Sequence, residues 1–207
     1  MAPDLRGHGR AAAVRPISFT ACVEDVAALA PERFVLCGYS LGGRIALHVA
    51  LALGERVSKL VLVSAGAGIE NDGERAERRA VDGALASRIE RAGIEEFIDY
   101  WSEQPLFAGD PEHVQAEVSA EARRNTPDGL AAALRGIGQG LMPPLWDRLG
   151  ELEMPVAALA GERDRRYVAL AERLAQELPG GRAVVVPGAG HRLALESPDA
   201  VAAAIVT

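Results

Sequence analysis

A serine in a glycine-containing motif is the first candidate catalytic residue. Residues 38–42 read Gly-Tyr-Ser-Leu-Gly, with Ser40 at the centre of the G-x-S-x-G pattern. An apolar run at 34–37, interpreted as a buried strand, precedes it, and an apolar helical pattern at 41–53 follows. This strand–turn–helix context exposes a nucleophilic serine on a strained turn, and a Cβ at either flanking glycine is expected to clash with backbone. The alternative is a serine that only caps the following helix.

A serine hydroxyl needs a histidine to take its proton before it can act as nucleophile or base. Among four histidines, His191 ends a Pro-Gly-Ala-Gly-His loop directly after the last apolar run. That loop is expected at the same sheet edge as Ser40, and it takes the third place in the chain order serine, acid, histidine. His191 is therefore the predicted base. His48 is interpreted as a buried or partly hydrogen-bonded helix residue.

The loop after another apolar run supplies the acid. Residues 161–164 read Gly-Glu-Arg-Asp and offer two carboxylates, Glu162 and Asp164. The acid would hold the imidazole tautomer and stabilise the imidazolium. The backbone N–H of Leu41 would supply one hydrogen bond to a developing oxyanion.

Alternating short apolar runs and longer helical patterns predict the elements that carry these residues. Continuous apolar strands separated by helices are typical of a parallel sheet covered on both faces. Ser197 before a proline and an acid predicts a capped start for the last helix. The strands are expected at 34–37, 60–63, 156–160 and 183–186, and the helices at 19–29, 41–53, 167–178 and from 198 onward.

A long interval interrupts this alternation. Between about 70 and 149 no convincing strand is found, and helical patterns lie near 72–92, 94–103, 111–125 and 127–136. The prediction is one α/β domain over 1–207, with a helical lid inserted at about 70–149 over the carboxyl edge of the sheet.

Composition excludes several classes of protein. The chain has 207 residues, 49% hydrophobic and 25% charged, which favours a globular core over a disordered chain. The net charge of −7 argues against a nucleic-acid partner. The sequence contains neither an apolar span of membrane length nor a signal-peptide pattern. Two cysteines, Cys22 and Cys37, are too few for a disulfide framework and do not have the spacing of metal ligands. The expectation is a cytoplasmic protein without metal or membrane partner, its oligomeric state open.

The motifs together resemble α/β-hydrolase-fold enzymes. The loop at 3–9, Pro-Asp-Leu-Arg-Gly-His-Gly, is similar to the loop after that fold's fourth strand, and the serine, acid and histidine motifs follow in order. In this family the acid ends a G-x-x-D loop, which selects Asp164 over Glu162. The resemblance also implies earlier strands and a second oxyanion donor. We therefore expect an N-terminally truncated version of the fold.

Further motifs narrow the resemblance to one branch of that superfamily. They are Glu-Arg-Ala-Glu-Arg-Arg at 74–79, Phe-Ile-Asp-Tyr-Trp at 97–101, Glu-Gln-Pro-Leu-Phe at 103–107 and Arg-Arg-Asn at 123–125. They are similar to the 2-succinyl-6-hydroxy-2,4-cyclohexadiene-1-carboxylate synthases of menaquinone biosynthesis. That resemblance implies a lyase that eliminates pyruvate from a succinyl-cyclohexene carboxylate. A serine–histidine–aspartate triad would abstract the proton, with a small anionic substrate and no cofactor.

Arginine gives permanently charged, bidentate contacts to carboxylates. The resemblance assigns Arg78 and Arg123 to substrate carboxylates. Arg44 either contacts substrate or forms a buried pair with a nearby acid. Trp101 and Phe107 either form an apolar pocket wall or pack in a core. The remaining expected substrate contacts are Tyr39, beside the serine, and Arg166, after the acid loop.

Two other functions stay open at this stage. A hydrolase of small esters or amides would use the same triad, with Ser40 acylated. An inactive or binding protein would keep the fold without a complete oxyanion hole.

Overall fold

A four-stranded parallel sheet organises the computed structural model, which describes residues 1–207. The strands lie in the order β1-β2-β3-β4. Since neighbouring strands are all parallel, their carboxyl ends meet at one edge. The strands are β1 (Phe34–Tyr39), β2 (Val57–Val63), β3 (Val156–Gly161) and β4 (Gly181–Val186).

Burial separates the two central strands from the two outer ones. Every residue of β3 is buried, whereas Val35 of β1 is 43% exposed and Val185 of β4 is 40% exposed. The prediction of a buried strand at 34–37 is therefore wrong. A β1 residue has only one neighbouring strand in this sheet, so an apolar run there does not become a buried strand.

Eight α-helices accompany the sheet. Helices α1 and α2 match their predicted bounds. The helical patterns predicted near 72–92 and 94–103 join into one long helix, α3, which is kinked at Gly93 (φ 88°). The short α7 was not predicted. The helices are α1 (Phe19–Leu29), α2 (Leu41–Leu53), α3 (Asp72–Ser102), α4 (Glu112–Ala122), α5 (Pro127–Ile137), α6 (Arg165–Glu177), α7 (Leu193–Glu196) and α8 (Pro198–Val206).

One compact unit, the sheet unit, contains the whole sheet. It comprises Val23–Gly68 and Pro144–Thr207. Val61 and Val63 of β2 and Leu159 of β3 are almost fully buried in a cluster with side chains of α7 and α8. Burying each such side chain stabilises the fold by about 1.5–3 kcal/mol relative to exposure. This packing fixes the carboxyl ends of β2 and β3.

The other compact unit, the helical unit, contains no strand. It comprises Met1–Cys22 and Ile69–Pro143, so most of the predicted insertion falls within it together with the amino-terminal segment. Helix α3 begins with Asn71 accepting a hydrogen bond from the Glu74 N–H, and α5 begins with Thr126 accepting from the Gly129 N–H. Such caps satisfy amide groups that lack partners inside the helix.

The last helix, α8, has its predicted start but not its predicted cap. Helix α8 begins at Pro198 as predicted, but the Ser197 hydroxyl makes no capping hydrogen bond, so that part of the prediction is wrong.

No helix combines the length and apolar character needed to cross a membrane.

Candidate active site

The turn between β1 and α2 places Ser40 in a strained conformation. Its φ is 48° and its ψ is −109°, a region that non-glycine residues seldom adopt. A Cβ at Gly38 would lie 2.4 Å from the Gly42 carbonyl oxygen, as expected, whereas a Cβ at Gly42 would meet nothing within 4 Å. The expected clash at Gly42 is therefore wrong. The second tight position is Gly43, whose Cβ would lie 2.4 Å from that of Ala65.

Three side chains from distant parts of the sequence form one hydrogen-bonded chain. The Ser40 Oγ lies 3.3 Å from His191 Nε2, and His191 Nδ1 lies 2.7 Å from Asp164 Oδ2. The His191 side chain is 2% exposed and that of Asp164 is 5% exposed. Ser40 makes no capping hydrogen bond to α2, so the helix-cap interpretation does not describe it. This arrangement can move a proton between the hydroxyl and the imidazole.

Both oxygens of the Asp164 carboxylate have a hydrogen-bond partner. Its Oδ1 accepts a hydrogen bond from the Tyr167 N–H at 3.3 Å in the first turn of α6, while Oδ2 faces His191. Glu162, the other acid of the loop, is exposed and accepts from the Gly188 N–H at 2.8 Å. Asp164 is thus the carboxylate that reaches the imidazole.

Two tyrosine rings contact the imidazole. The centroid of Tyr39 lies 5.6 Å from that of His191, and the centroid of Tyr167 lies 4.6 Å away. Tyr39 was predicted beside the site, but Tyr167 was not. The available signal was its place three residues after Asp164, at the start of a helix.

A second serine with positive φ, Ser64, forms a hydrogen bond with the backbone of His191. It follows β2, is fully buried and has a φ of 48°. Its hydroxyl donates to the carbonyl oxygen of His191 at 3.0 Å, and its N–H donates to that of Leu159 at 2.8 Å. Sequence patterns gave no sign of this contact, because 127 positions separate the two residues.

The first turn of α2 carries two further predicted residues. Leu41 is the first residue of the helix, a position whose N–H has no partner within the helix. Arg44 is half-buried, and its N–H donates to the Ser40 carbonyl at 3.1 Å. His48 is also half-buried, and burial, with smaller contributions from Arg148 and Arg44, lowers its pKa to about 4. His48 is therefore uncharged at neutral pH.

The arginines predicted to bind substrate differ in their surroundings. In the helical unit, Arg78 Nε donates to Asp82 Oδ1 at 2.9 Å, and the Asp82 side chain is only 3% exposed. Arg123 forms a bidentate pair with Glu95, at 2.9 and 2.8 Å, with both side chains more than half exposed. In the sheet unit, Arg166 is exposed in the first turn of α6.

The predicted aromatic wall residues pack on each other. Trp101 lies 5.5 Å from Phe97 and 5.6 Å from Phe107, measured between ring centroids. Phe107 is 6% exposed, which fits core packing in the helical unit. No group of three histidine, cysteine, aspartate or glutamate side chains is placed to hold a metal ion.

These features define an α/β-hydrolase fold and site, and comparison with known proteins shows the family directly. The model of the alpha/beta hydrolase family matches residues 1–204, and the chain belongs to that family. A Salmonella schwarzengrund protein named 2-succinyl-6-hydroxy-2,4-cyclohexadiene-1-carboxylate synthase is 33% identical over 202 residues, covering 96% of this chain and 78% of its own. A Bacillus subtilis protein named as a candidate for the same synthase is 38% identical, covering 94% and 75%.

Solved structures agree with the sequence relatives. MenH from S. aureus is 33% identical with a TM-score of 0.88, covering 95% of this chain and 77% of that one. A thermophilic esterase from Thermogutta terrifontis is 28% identical with a TM-score of 0.82, covering 98% and 76%. The resemblance inferred from the motifs, to the α/β-hydrolase superfamily and its synthase branch, is confirmed.

Proposed function

We propose that this protein is a 2-succinyl-6-hydroxy-2,4-cyclohexadiene-1-carboxylate synthase, a lyase that eliminates pyruvate from a succinyl-cyclohexene carboxylate in menaquinone synthesis. The observation that carries the proposal is the hydrogen-bonded chain from Ser40 through His191 to Asp164, at 3.3 and 2.7 Å. It occurs in a chain whose relatives at 33% and 38% identity bear that name.

The geometry suits proton abstraction. His191 Nε2 takes the Ser40 hydroxyl proton, and the serine oxygen removes a proton from a ring carbon of the substrate. The electron pair of that C–H bond forms a new C=C bond in the ring, the C–O bond to the leaving group breaks, and its electrons leave with the enolate of pyruvate. The protonated His191 then gives its proton to the methylene carbon of that enolate, which yields pyruvate and restores the neutral imidazole. Asp164 keeps the proton of the neutral imidazole on Nδ1, so that Nε2 is the acceptor. The N–H of Leu41 is our proposed donor to the negative charge that develops on a substrate oxygen.

Arg78 is the best-prepared group for a substrate carboxylate. The buried Asp82 binds its Nε, which fixes the guanidinium plane and leaves the two terminal nitrogens for a bidentate contact. Arg123 is a weaker proposal, because a substrate would exchange with Glu95. The other proposed substrate contacts are Tyr39, Arg44, Trp101, Phe107 and Arg166.

We also propose a cytoplasmic location and a small anionic substrate, with no nucleic-acid partner. Both cysteines are free, which suits a reducing compartment. A net charge of −7 disfavours binding to nucleic acid.

A carboxylic ester hydrolase is the second candidate. The structural likeness to the Thermogutta terrifontis esterase, at 28% identity and a TM-score of 0.82, supports it. In that case the Ser40 oxygen would attack an ester carbonyl and form an acyl-enzyme.

A paired assay separates the two candidates. The protein, expressed from its natural gene, is mixed with the succinyl-cyclohexene substrate, and pyruvate is followed through NADH consumption by lactate dehydrogenase. In parallel, p-nitrophenyl acetate is added and the early release of p-nitrophenol is recorded. The lyase proposal expects catalytic pyruvate release that Ser40→Ala abolishes. A stoichiometric burst of p-nitrophenol without pyruvate release would instead establish the esterase.

A further inference from the structure

An ion pair joins the acid loop to the histidine loop. Glu196, the last residue of α7, has a side chain only 4% exposed, and its carboxylate pairs with Arg163 Nη2. The same oxygen, Oε2, accepts the Gly190 N–H at 2.9 Å. Arg163 directly precedes Asp164, and Gly190 directly precedes His191. The pair therefore acts on the residues next to both members of the acid–base pair.

Arg163 makes further bonds to the histidine loop. Its Nε donates to the Gly188 carbonyl at 2.9 Å, and its backbone N–H donates to the Ala189 carbonyl at 2.9 Å. A Cβ at Gly190 would lie 2.9 Å from Glu196 Oε1 and 3.3 Å from Arg163 Nη2. The loop backbone thus lies directly against the ion pair, and a Cβ at Gly190 would displace the Glu196 carboxylate.

A buried carboxylate is costly to desolvate, so a pair like this is weak evidence for stability alone. Its geometric effect is specific, since one charged oxygen fixes both the loop amide before His191 and the side chain before Asp164. We propose that Arg163 and Glu196 are positioning residues that hold the His191 imidazole at hydrogen-bonding distance from Asp164 and Ser40. The proposal rests on the proposed function only in assuming that the reaction uses His191.

The expected signature is a loss in kcat without a change in KM. Neither side chain is assigned to substrate, so ground-state binding is unaffected, whereas a small displacement of a catalytic group can lower the rate by about 100-fold. We expect Glu196→Gln and Arg163→Met each to lower kcat by about 10- to 100-fold. Because Arg163 and Glu196 act through the same ion pair, the double variant should be no slower than the slower single variant. Arg163→Lys should recover part of the rate, since it keeps a charge but not the fork of donors.

A matched ion pair on α6 provides the control. Arg173 pairs with Glu177 at 2.7 Å, and its side chain is 39% exposed, the same fraction as that of Arg163. Glu177→Gln should leave both kcat and KM at wild-type values. Thermal unfolding of every variant shows whether the native fraction is unchanged at the assay temperature.

Labelling of Ser40 by a serine-directed phosphonate separates this proposal from the proposed function. Labelling needs the Ser40–His191 contact whichever reaction the enzyme performs, and it should slow in Glu196→Gln and Arg163→Met. If wild type releases no pyruvate but labelling slows in these variants, the proposed function fails and the positioning role stands. Should either variant not fold, Gly190→Ala, which presses on the intact pair, is measured in its place. Folded variants with wild-type kcat and labelling rates would overturn the proposal.

Discussion

The proton-transfer site of the sheet unit and the surface ion pairs of the helical unit differ in their exposure to water. In the sheet unit, the side chains of the acid–base pair and of Glu196 are buried: His191, Asp164 and Glu196 are 2%, 5% and 4% exposed. In the helical unit, ion pairs such as Arg123–Glu95 are more than half exposed on both sides. Breaking a buried pair leaves an uncompensated charge, whereas an exposed pair contributes about 0–1 kcal/mol. The buried groups of the sheet unit thus hold fixed positions, whereas an exposed pair such as Arg123–Glu95 can exchange partners.

Arg78 differs from Arg123 within the helical unit. Its partner Asp82 is buried, with a side chain 3% exposed, although Arg78 itself is 35% exposed. It combines the fixed orientation seen in the sheet unit with a guanidinium that solvent can reach. This difference from Arg123 is what the following variants test.

Removing Ser40 or His191 should have the largest effect. Ser40→Ala and His191→Gln are expected to lower kcat for pyruvate release by at least about 1,000-fold, because each removes a step of proton transfer. The measurement is steady-state kinetics with the coupled pyruvate assay. His113→Gln, on the exposed face of α4, is the control. Activity above one tenth of wild type in Ser40→Ala would show that the hydroxyl is not the base.

Arg78 should have the next largest effect, and on substrate binding. Arg78→Met is expected to raise KM by about 10- to 100-fold, the cost of a lost charged hydrogen-bonding partner at about 1.5–3 kcal/mol. Arg124→Met is the matched control, since Arg124 pairs with Glu121 on the exposed surface of the same unit. An unchanged KM in Arg78→Met would remove Arg78 from the substrate site.

His48 predicts how the stability of the folded protein depends on pH. Its pKa is lowered from 6.5 to about 4 in the folded protein, so the unfolded chain binds more protons between those values. Stability should therefore rise with pH from about 4 to 6.5 and lose this contribution as pH falls. His48→Gln should flatten that rise in urea unfolding midpoints, whereas His113→Gln should not. Equal slopes in His48→Gln and wild type would contradict the assignment.

The exposed pair of Arg123 and Glu95 should have the smallest effect. Glu95→Gln is expected to change the free energy of unfolding by less than about 1 kcal/mol. If Arg123 contacts substrate, the same variant should lower KM slightly, because the guanidinium no longer has a competing carboxylate. A destabilisation of several kcal/mol would remove the distinction between the two units.

Local sequence patterns predicted much of the fold. Helices α1 and α2 match their predicted bounds, because apolar periodicity and, for α2, the glycines near its ends are local signals. The exposure of Val35 was not predictable in this way, since an apolar run does not show how many neighbours a strand has. The missing cap at Ser197 occurs at backbone angles of φ −146° and ψ 63°, which residue type alone does not reveal.

The residues of the candidate site also divide into those that sequence motifs predict and those that only the folded structure reveals. Ser40 and His191 lie in motifs that strand ends must bring to one edge, so sequence could nominate them. Ser64 reaches the histidine loop only through packing of the folded chain, whereas Tyr167 and Glu196 lie close in sequence to Asp164 and His191 and carry no motif that marks their contacts. Ser64 and His191 lie 127 positions apart, and no spacing rule connects them.

A single-turnover experiment with intact-mass detection tests the central claim most directly. Excess enzyme is mixed with the succinyl-cyclohexene substrate, pyruvate is counted, and the mass of the protein is measured while the reaction proceeds. The account predicts one pyruvate for each substrate consumed and an unmodified Ser40 at every time point. A covalent adduct on Ser40, or substrate consumption without pyruvate, would contradict it.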